Sequence, residues 1–164
     1  MTRHTVVTSP IGTLILVASD EALIEVRFPN GRPVGPGDGP DEPDHPILAL
    51  AAQQLGEYFA GTRTEFDVCL DPPGSPFQRA AWAGLATIPY GETVSYGEQA
   101  RRLGHEGKAR AIGAANGANP IPVILPCHRV VGSDGSLVGF GGGLETKAWL
   151  LHHERAVAGL ELPF

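Results

Sequence analysis

The sequence predicts an α+β protein in two parts: an antiparallel sheet with one helix, then a helical half that contains a helix-turn-helix. Segments that alternate between apolar and polar residues are confined to the first half, and such alternation is typical of strands. Signals for helix starts are concentrated in the second half. The sequence Asp71-Pro72-Pro73-Gly74 interrupts both patterns. We therefore predict two domains, residues 1–74 and residues 75–164, a size at which each can bury a small core.

Three strands are predicted at the start of the chain, at residues 5–8, 13–18 and 22–28. The sequence Ser-Pro-Ile-Gly at 9–12 supplies a turn between the first two. In the third segment Ile24, Val26 and Phe28 alternate with charged residues. This alternation indicates antiparallel strands with one face in water.

The rest of the first half predicts a loop, a helix and one more strand. Residues 29–46 are mostly Pro, Gly and Asp with almost nothing to bury, which predicts a mobile acidic loop. A helix is expected from Pro46 through Phe59. Residues 65–70 alternate as a strand does, which places Cys69 opposite the apolar side chains and suggests a structural role for it.

The second half opens with a complete helix-start signal. Ser75 is a good N-cap, Pro76 suits the first helical position, and Gln78 completes a capping box. The apolar residues that follow lie on roughly one face of the predicted helix.

Two short helices come next and predict a helix-turn-helix. Ser95 and Glu98 form a second capping box, and Gly104 is expected to stop that helix. The following helix, from about Gly107 to Gly117, consists largely of Ala and Gly and is unusually slim. Two helices joined by a tight turn containing glycine are typical of this DNA-binding motif.

Charge is distributed unevenly along a chain whose formal net charge is -6. Residues 1–74 carry four basic and eleven acidic side chains, whereas residues 75–155 carry eight basic and six acidic ones. Nucleic acid is therefore expected only at the second half. The chain shows no apolar segment of signal-peptide or membrane-span type, so we predict a cytoplasmic protein with no membrane partner.

The two cysteines lie far apart and predict no disulfide framework. Cys127 follows an apolar stretch and Pro126 and precedes His128 and Arg129, so a buried thiol is expected beside a base and a cation that favour thiolate. The alternative is a small buried hydrophobe. Neighbouring side chains point apart in a strand, so a direct Cys127–His128 hydrogen bond requires a turn or a bridging water, and both remain open.

Several motifs together resemble the 6-O-alkylguanine-DNA alkyltransferases. The region that resembles their active-site signature has three parts: Asn119-Pro120, Pro126-Cys127-His128-Arg129-Val130 and Gly139-Phe140-Gly141-Gly142-Gly143. Further matches follow the family order at residues 88–92, 95–97, 109–113 and 150–154. The resemblance implies a ribonuclease-H-like sheet in the first domain and a winged helix-turn-helix-like second domain.

Catalytic roles follow from this resemblance. It implies that Cys127 is the nucleophile, that His128 is its base through a water, and that Glu154 orients the histidine. Asn119 resembles the asparagine that shapes the turn before the active site. The alternatives are a satisfied core histidine, a solvated charge at a helix end and an asparagine that ends a helix before Pro120.

DNA contacts are implied for the slim helix. Arg110 resembles the arginine that fills the space of an extruded guanine, although a phosphate contact is the alternative from sequence alone. Ala111 and Gly113 are small enough for the helix backbone to approach the duplex closely. Tyr96 resembles the tyrosine that contacts the flipped nucleotide, and its alternative is an ordinary half-buried aromatic.

The base pocket is expected to be lined by Val130, Phe140 and Gly141 as well as Tyr96. Phe140 occupies a position where family members commonly have tyrosine. A phenylalanine stacks on guanine but does not hydrogen-bond, so the help of that hydroxyl to the departing base is missing.

The resemblance implies an irreversible, single-turnover DNA methyltransferase. The alkyl group would move from the 6-oxygen of guanine, and also from the 4-oxygen of thymine, to Cys127 after base flipping in double-stranded DNA. We expect no cofactor, no metal and a monomer in the absence of DNA. The alternatives are a non-catalytic alkylguanine sensor of the same fold and a cysteine hydrolase; relatives of the sensor type lack the cysteine that is present here.

Overall fold

The computed structural model describes residues 1–160 and divides the chain into two compact units, one of residues Met1–Pro73 and one that begins at Gly74. The first unit contains strands β1 (Arg3–Val7), β2 (Leu14–Ala18) and β3 (Leu23–Arg27), and helix α1 (Pro46–Ala60). The second contains α2 (Pro76–Leu85), β4 (Val94–Ser95), α3 (Tyr96–Arg102), α4 (Ala109–Gly117), β5 (Val130–Val131) and α5 (Leu144–Val157). The α+β fold class is therefore confirmed.

The first unit is a three-stranded antiparallel sheet with one helix packed on it. Strands run in the order β1-β2-β3, with Val6 opposite Ile15 and Leu16 opposite Val26. Helix α1 contacts β2 through apolar residues at helical spacing. The buried residues of this helix include Leu48, Ala51, Leu55 and Tyr58. The three predicted strands are present, with their ends shifted by one or two residues.

The acidic segment 29–46 is attached to the sheet by a buried charge, which the prediction missed. Asp38 is buried and forms an ion pair with Arg27 of β3. Both backbone groups of His4 also bind the segment. Its N–H donates to Pro40 O at 3.0 Å, and its carbonyl accepts from Glu42 N at 2.8 Å. A polar residue can be buried here because its partner is buried with it.

The predicted strand at residues 65–70 is wrong apart from its last residue. Leu70 forms an isolated bridge with Leu23, while the backbone N–H of Asp67 donates to the side chain of Gln54 at 3.0 Å rather than to a strand. Val68 is buried and Cys69 is exposed, so the alternation of side chains is as expected. Because Cys69 is exposed, it does not have the structural packing role predicted for it.

Helices α2, α3 and α4 pack around a small apolar core in the second unit. The core residues are Ala81, Ala100, Ile112 and Ala115. Both halves of the capping box at Ser75 and Gln78 are present. Ser95 caps α3 by accepting from Glu98 N at 3.0 Å, but the Glu98 carboxylate binds two arginines of the same helix instead. The adjacent helices α3 and α4 form the predicted helix-turn-helix.

A parallel ladder and the last helix complete the second unit. Val94 of β4 lies opposite Val130 of β5. Helix α5 begins after Gly143, which has no side chain to cap it, so no capping signal predicts its start. None of the helices within residues 1–160 is long and apolar enough to cross a membrane.

Candidate active site

Asn119 closes the loop that leads to Cys127. Its side-chain oxygen accepts from Ile121 N at 2.9 Å, and its Nδ2 donates to Leu125 O at 2.8 Å. Leu125 N also donates to Ile121 O at 2.9 Å, so the same five residues are joined by their own backbone. The carboxamide of Asn119 therefore holds both ends of residues 121–125.

Val123 lies at the centre of this loop in a strained conformation. Its φ is 73°, and its exposed fraction is 1%. A β-branched residue rarely adopts the left-handed region, and such a conformation costs on the order of 1–3 kcal/mol. The bonds of Asn119 and the burial of residues 121–125 hold this backbone in place.

Cys127 begins a 3-10 turn, Cys127–Arg129, but this turn does not bring Cys127 into a direct hydrogen bond with His128 Nδ1. Only 7% of the residue is exposed. Burial raises the pKa of the Cys127 thiol, while the hydrogen bond with Asn119 and the charge of Lys147 oppose that rise. The resting state is therefore a thiol, and a base is needed to generate the thiolate.

His128 and Glu154 form a completely buried pair. The distance from His128 Nε2 to Glu154 Oε2 is 2.6 Å, and both side chains are 0% exposed. Burial lowers the pKa of His128 despite the neighbouring carboxylate. With Nε2–H donating to Glu154, the lone pair of the neutral imidazole is on Nδ1. His128 Nδ1 makes no hydrogen bond to any residue between 1 and 160, so it is free to accept a proton.

Arg129 does not serve the thiol as the sequence suggested. Its Nε donates to Glu154 Oε1 at 2.8 Å, and a terminal nitrogen donates to Glu154 Oε2 at 3.0 Å. Burial raises the pKa of Glu154, but His128 and Arg129 outweigh burial and lower it below its ordinary value. Glu154 is therefore ionised, and the positive charge of Arg129 stabilises its carboxylate.

The cation that acts on Cys127 is Lys147, which sequence reasoning missed. Lys147 is 0% exposed, and its Nζ donates to Val138 O at 3.0 Å. Its charge lowers the pKa of Cys127, although burial lowers the pKa of Lys147 itself. The buried positions of α5 are Lys147, Leu150, Leu151 and Glu154. Two charged residues on the buried stripe of a helix are a signal that could have revealed this lysine.

Two of the four residues expected to line the base pocket, Tyr96 and Phe140, lie near Lys147. Lys147 Nζ lies 5.7 Å from the centre of the Tyr96 ring and 6.0 Å from that of Phe140. The Tyr96 hydroxyl donates to Val138 O at 3.1 Å. Gly141 is exposed, whereas Val130 is 0% exposed within its ladder. Tyr96 and Phe140 therefore lie near the buried cation.

Helix α4 places two of its three expected DNA-contacting residues on the surface. Arg110 and Ala111 are exposed. Gly113 faces Tyr96: a Cβ atom at this position would lie 3.8 Å from the tyrosine ring. Tyr96 therefore connects the surface of the slim helix with the buried group around Cys127.

The second unit thus combines a helix-turn-helix with a buried cysteine, a neutral histidine and a carboxylate that orients the histidine, which is the arrangement of a DNA-binding protein with a candidate cysteine nucleophile. Residues 76–156 match the family model "6-O-methylguanine DNA methyltransferase, DNA binding domain", and residues 2–72 match the ribonuclease-like domain of the same family. The chain belongs to the 6-O-methylguanine DNA methyltransferase family.

Similarity to relatives extends over nearly the whole chain. A methylated-DNA--protein-cysteine methyltransferase of Mycolicibacterium paratuberculosis is 50% identical over 155 residues, covering 94% of this chain and 93% of the relative. The solved structure of Mycobacterium tuberculosis OGT in complex with DNA matches with 45% identity and a TM-score of 0.88, and the match covers 94% of each chain. A structure of Mycobacterium tuberculosis O6-methylguanine methyltransferase matches with a TM-score of 0.87 at 45% identity, covering 99% of this chain and 98% of that one.

Proposed function

We propose that this protein repairs alkylated DNA by transferring an alkyl group from the 6-oxygen of guanine to the sulfur of Cys127. The observation that carries the proposal is the buried Cys127 beside a neutral His128, whose Nδ1 is free and whose Nε2 is held by Glu154. Membership of the family and the methyltransferase names of its relatives support the same reaction.

The transfer begins with the removal of the thiol proton. A bridging water takes the proton from Cys127 Sγ and delivers one to His128 Nδ1, and Glu154 stabilises the imidazolium that forms. Lys147 stabilises the thiolate by its charge. Asn119 keeps the loop before Cys127 closed around the nucleophile.

The thiolate then attacks the alkyl carbon. A carbon–sulfur bond forms while the bond between that carbon and the 6-oxygen breaks, and guanine leaves with the electron pair. The proton held by His128 returns through the bridging water and neutralises the guanine, so the thiol proton is accounted for. The thioether has no proton to lose and is a poor leaving group, so each molecule reacts once. Thymine alkylated on its 4-oxygen carries the alkyl group in the same way and is a second substrate. No cofactor takes part in these steps.

The alkylated base reaches Cys127 only after it leaves the duplex. Base flipping costs a few kcal/mol, and Arg110 offsets part of this cost by filling the vacated space. Ala111 and Gly113 allow α4 to approach the duplex closely. The flipped base is held by Tyr96, Val130, Phe140 and Gly141. The protein is a monomer until it binds double-stranded DNA that contains the alkylated base.

Intact-protein mass spectrometry tests this proposal directly. The protein is incubated with a duplex that contains 6-O-methylguanine, and the adduct is located by peptide mapping. We expect one added methyl group per chain, on Cys127, both in the unaltered protein and in the Cys69→Ser control. The Cys127→Ser variant is expected to bind the duplex without gaining the methyl group. Tight binding by the unaltered protein without any adduct would instead identify a damage sensor.

A further inference from the structure

Arg129 makes several hydrogen bonds around Glu154, yet the proposed reaction gives it no role. Besides its two bonds to the carboxylate, one terminal nitrogen donates to Ile88 O at 2.7 Å. The guanidinium carbon also lies 5.5 Å from the centre of the Tyr90 ring. Arg129 is only 6% exposed, so these contacts fix the guanidinium plane without help from solvent.

The Glu154 carboxylate receives donors on both oxygens. Oε1 accepts from Arg129 Nε and, at 3.3 Å, from Gly91 N, while Oε2 accepts from His128 Nε2 and from a terminal nitrogen of Arg129. Such a carboxylate cannot rotate without breaking several bonds. The orientation of the His128 ring therefore depends on Arg129 through Glu154.

Burial is the largest cause of the lowered pKa of His128, and charges of both signs act on the ring as well. Glu154 is negative and favours a proton on the ring, whereas Arg129 and Lys147 are positive and oppose it. Among the described residues, other titratable groups close to this cluster include the thiol of Cys127, the hydroxyl of Tyr90 and Arg155, which donates to Gly91 O at 3.1 Å. A lone buried carboxylate beside His128 would stabilise the imidazolium before the reaction starts. Its Nδ1 would then carry a proton and could not act as the base.

We propose that Arg129 is a positioning residue that holds Glu154 as an oriented carboxylate and balances its charge, so that His128 stays neutral with Nδ1 free. The inference rests on the proposed function of Cys127. A single side chain has two effects here. The planar fork sets the geometry of the pair, and the positive charge acts together with burial to lower the pH at which His128 becomes protonated.

The test is the pH profile of methyl transfer to Cys127 in four variants. Arg129→Met removes the positive charge. The acid limb, which is the pH range where the transfer rate falls as His128 becomes protonated, should then move up by about one pH unit. At a pH below the acid limbs of both proteins, the rate of the variant should be roughly tenfold lower than that of the unaltered protein. Glu154→Gln should move the limb down, because the positive charge of Arg129 is then uncompensated. The double variant Arg129→Met/Glu154→Gln should return close to the unaltered limb. Arg129→Lys should keep the limb but lower the plateau, because the charge is retained and the fork is lost.

A merely structural role for Arg129 predicts a different pattern. Loss of packing would lower the plateau in Arg129→Met without moving the acid limb, and this result would overturn the proposal. A shift in the same direction for Arg129→Met and Glu154→Gln would also overturn it. If Arg129→Met does not fold, Glu154→Gln is compared with the double variant, because these two proteins also differ only at Arg129. The proposal then requires the acid limb of the double variant to lie at a higher pH than that of Glu154→Gln.

A second readout distinguishes failure of this inference from failure of the proposed function. Long-range proton–nitrogen NMR of the histidine rings reports the protonation of His128 without any alkyl transfer. We expect a neutral ring protonated on Nε2 at pH 7 in the unaltered protein and a protonated ring at higher pH in Arg129→Met. An unaltered protein that fails to alkylate Cys127 refutes the proposed function, whereas an unchanged His128 titration in Arg129→Met refutes the role of Arg129.

Discussion

The reactivity of Cys127 is set by opposing effects on one buried atom. Burial favours the neutral thiol, whereas the hydrogen bond with Asn119 and the charge of Lys147 favour the thiolate. The nearest sequence neighbours do not reveal this balance, because Arg129 is committed to Glu154 and Lys147 belongs to a different element. Reactivity at this residue is therefore a property of the assembled second unit.

Replacing Lys147 tests the electrostatic part of this balance. Lys147→Met keeps most of the side-chain volume but removes the charge, so the pKa of Cys127 should rise further and less thiolate should form at neutral pH. We expect the alkylation of Cys127 by iodoacetamide at pH 7 to slow by roughly tenfold, which corresponds to about one pH unit. Lys147→Arg, which retains the charge, is the control. Equal rates in Lys147→Met and the unaltered protein would contradict a role for this charge.

At the scale of elements, the acidic segment 29–46 depends on one ion pair. Arg27 lowers the pKa of Asp38 to about 2, because it forms a hydrogen-bonded pair with the carboxylate in a buried position. A carboxyl whose pKa is lower in the folded than in the unfolded state stabilises the fold above the unfolded value of 3.8. This contribution is lost progressively as the pH falls from about 4 to about 2.

Asp38→Asn should therefore lower the free energy of unfolding by about 2 kcal/mol at pH 7, and by much less near pH 2. Denaturant unfolding at the two pH values measures the difference. Asp44→Asn removes an exposed carboxylate of the same segment and serves as the control, with little change expected. An Asp38→Asn variant as stable as the control at pH 7 would show that the ion pair does not stabilise this unit.

Helix α4 is the element on which the proposed flipping step depends. Arg110 is exposed near the start of this slim helix, whereas Gly113 faces Tyr96. If Arg110 fills the base stack, its side chain matters only when the alkylated base must leave a duplex. The proposed role therefore concerns the cost of extrusion and leaves the chemistry at Cys127 unaffected.

Arg110→Ala is expected to slow repair of duplex DNA by roughly tenfold or more, because part of a flipping cost of a few kcal/mol is no longer offset. Reaction with free 6-O-methylguanine should change by less than about twofold, because no base stack is opened. Arg32→Ala removes the same charge from the first unit and should affect neither substrate. Equal losses on duplex and free base would refute the flipping role.

The charge of the whole molecule limits how it binds DNA. The second half carries a small positive excess, but Arg129 and Lys147 are buried, and Arg101 and Arg102 are paired with Glu98. Few cations are therefore left to displace counterions from phosphates.

We expect only a shallow dependence of DNA affinity on salt. With about three to five phosphates neutralised, the slope of log K against log salt should lie between roughly -3 and -5. Fluorescence anisotropy with a labelled duplex at several salt concentrations measures this slope. A slope near -10 would require many more phosphate contacts than the exposed side chains of the second half supply.

Much of the fold follows from local sequence signals. The strands of the first unit, the start of α1 at Pro46 and the capping box at Ser75 depend on residues that are close in the chain, so their patterns are readable directly. The segment at residues 65–70 shows the limit of this approach. Its alternation was read correctly, but the Gln54 side chain supplies the partner that a neighbouring strand would otherwise provide.

The sequence by itself determined the α+β fold class, the helix-turn-helix and, through the family resemblance, the grouping of Cys127 with His128 and Glu154. Only the tertiary structure decided which cation serves which group: Arg129 binds a carboxylate 25 positions away, and Lys147 acts on Cys127 from α5. The physical reason is that backbone propensity acts over a few residues, whereas electrostatic partners are chosen by distance and burial after the helices pack.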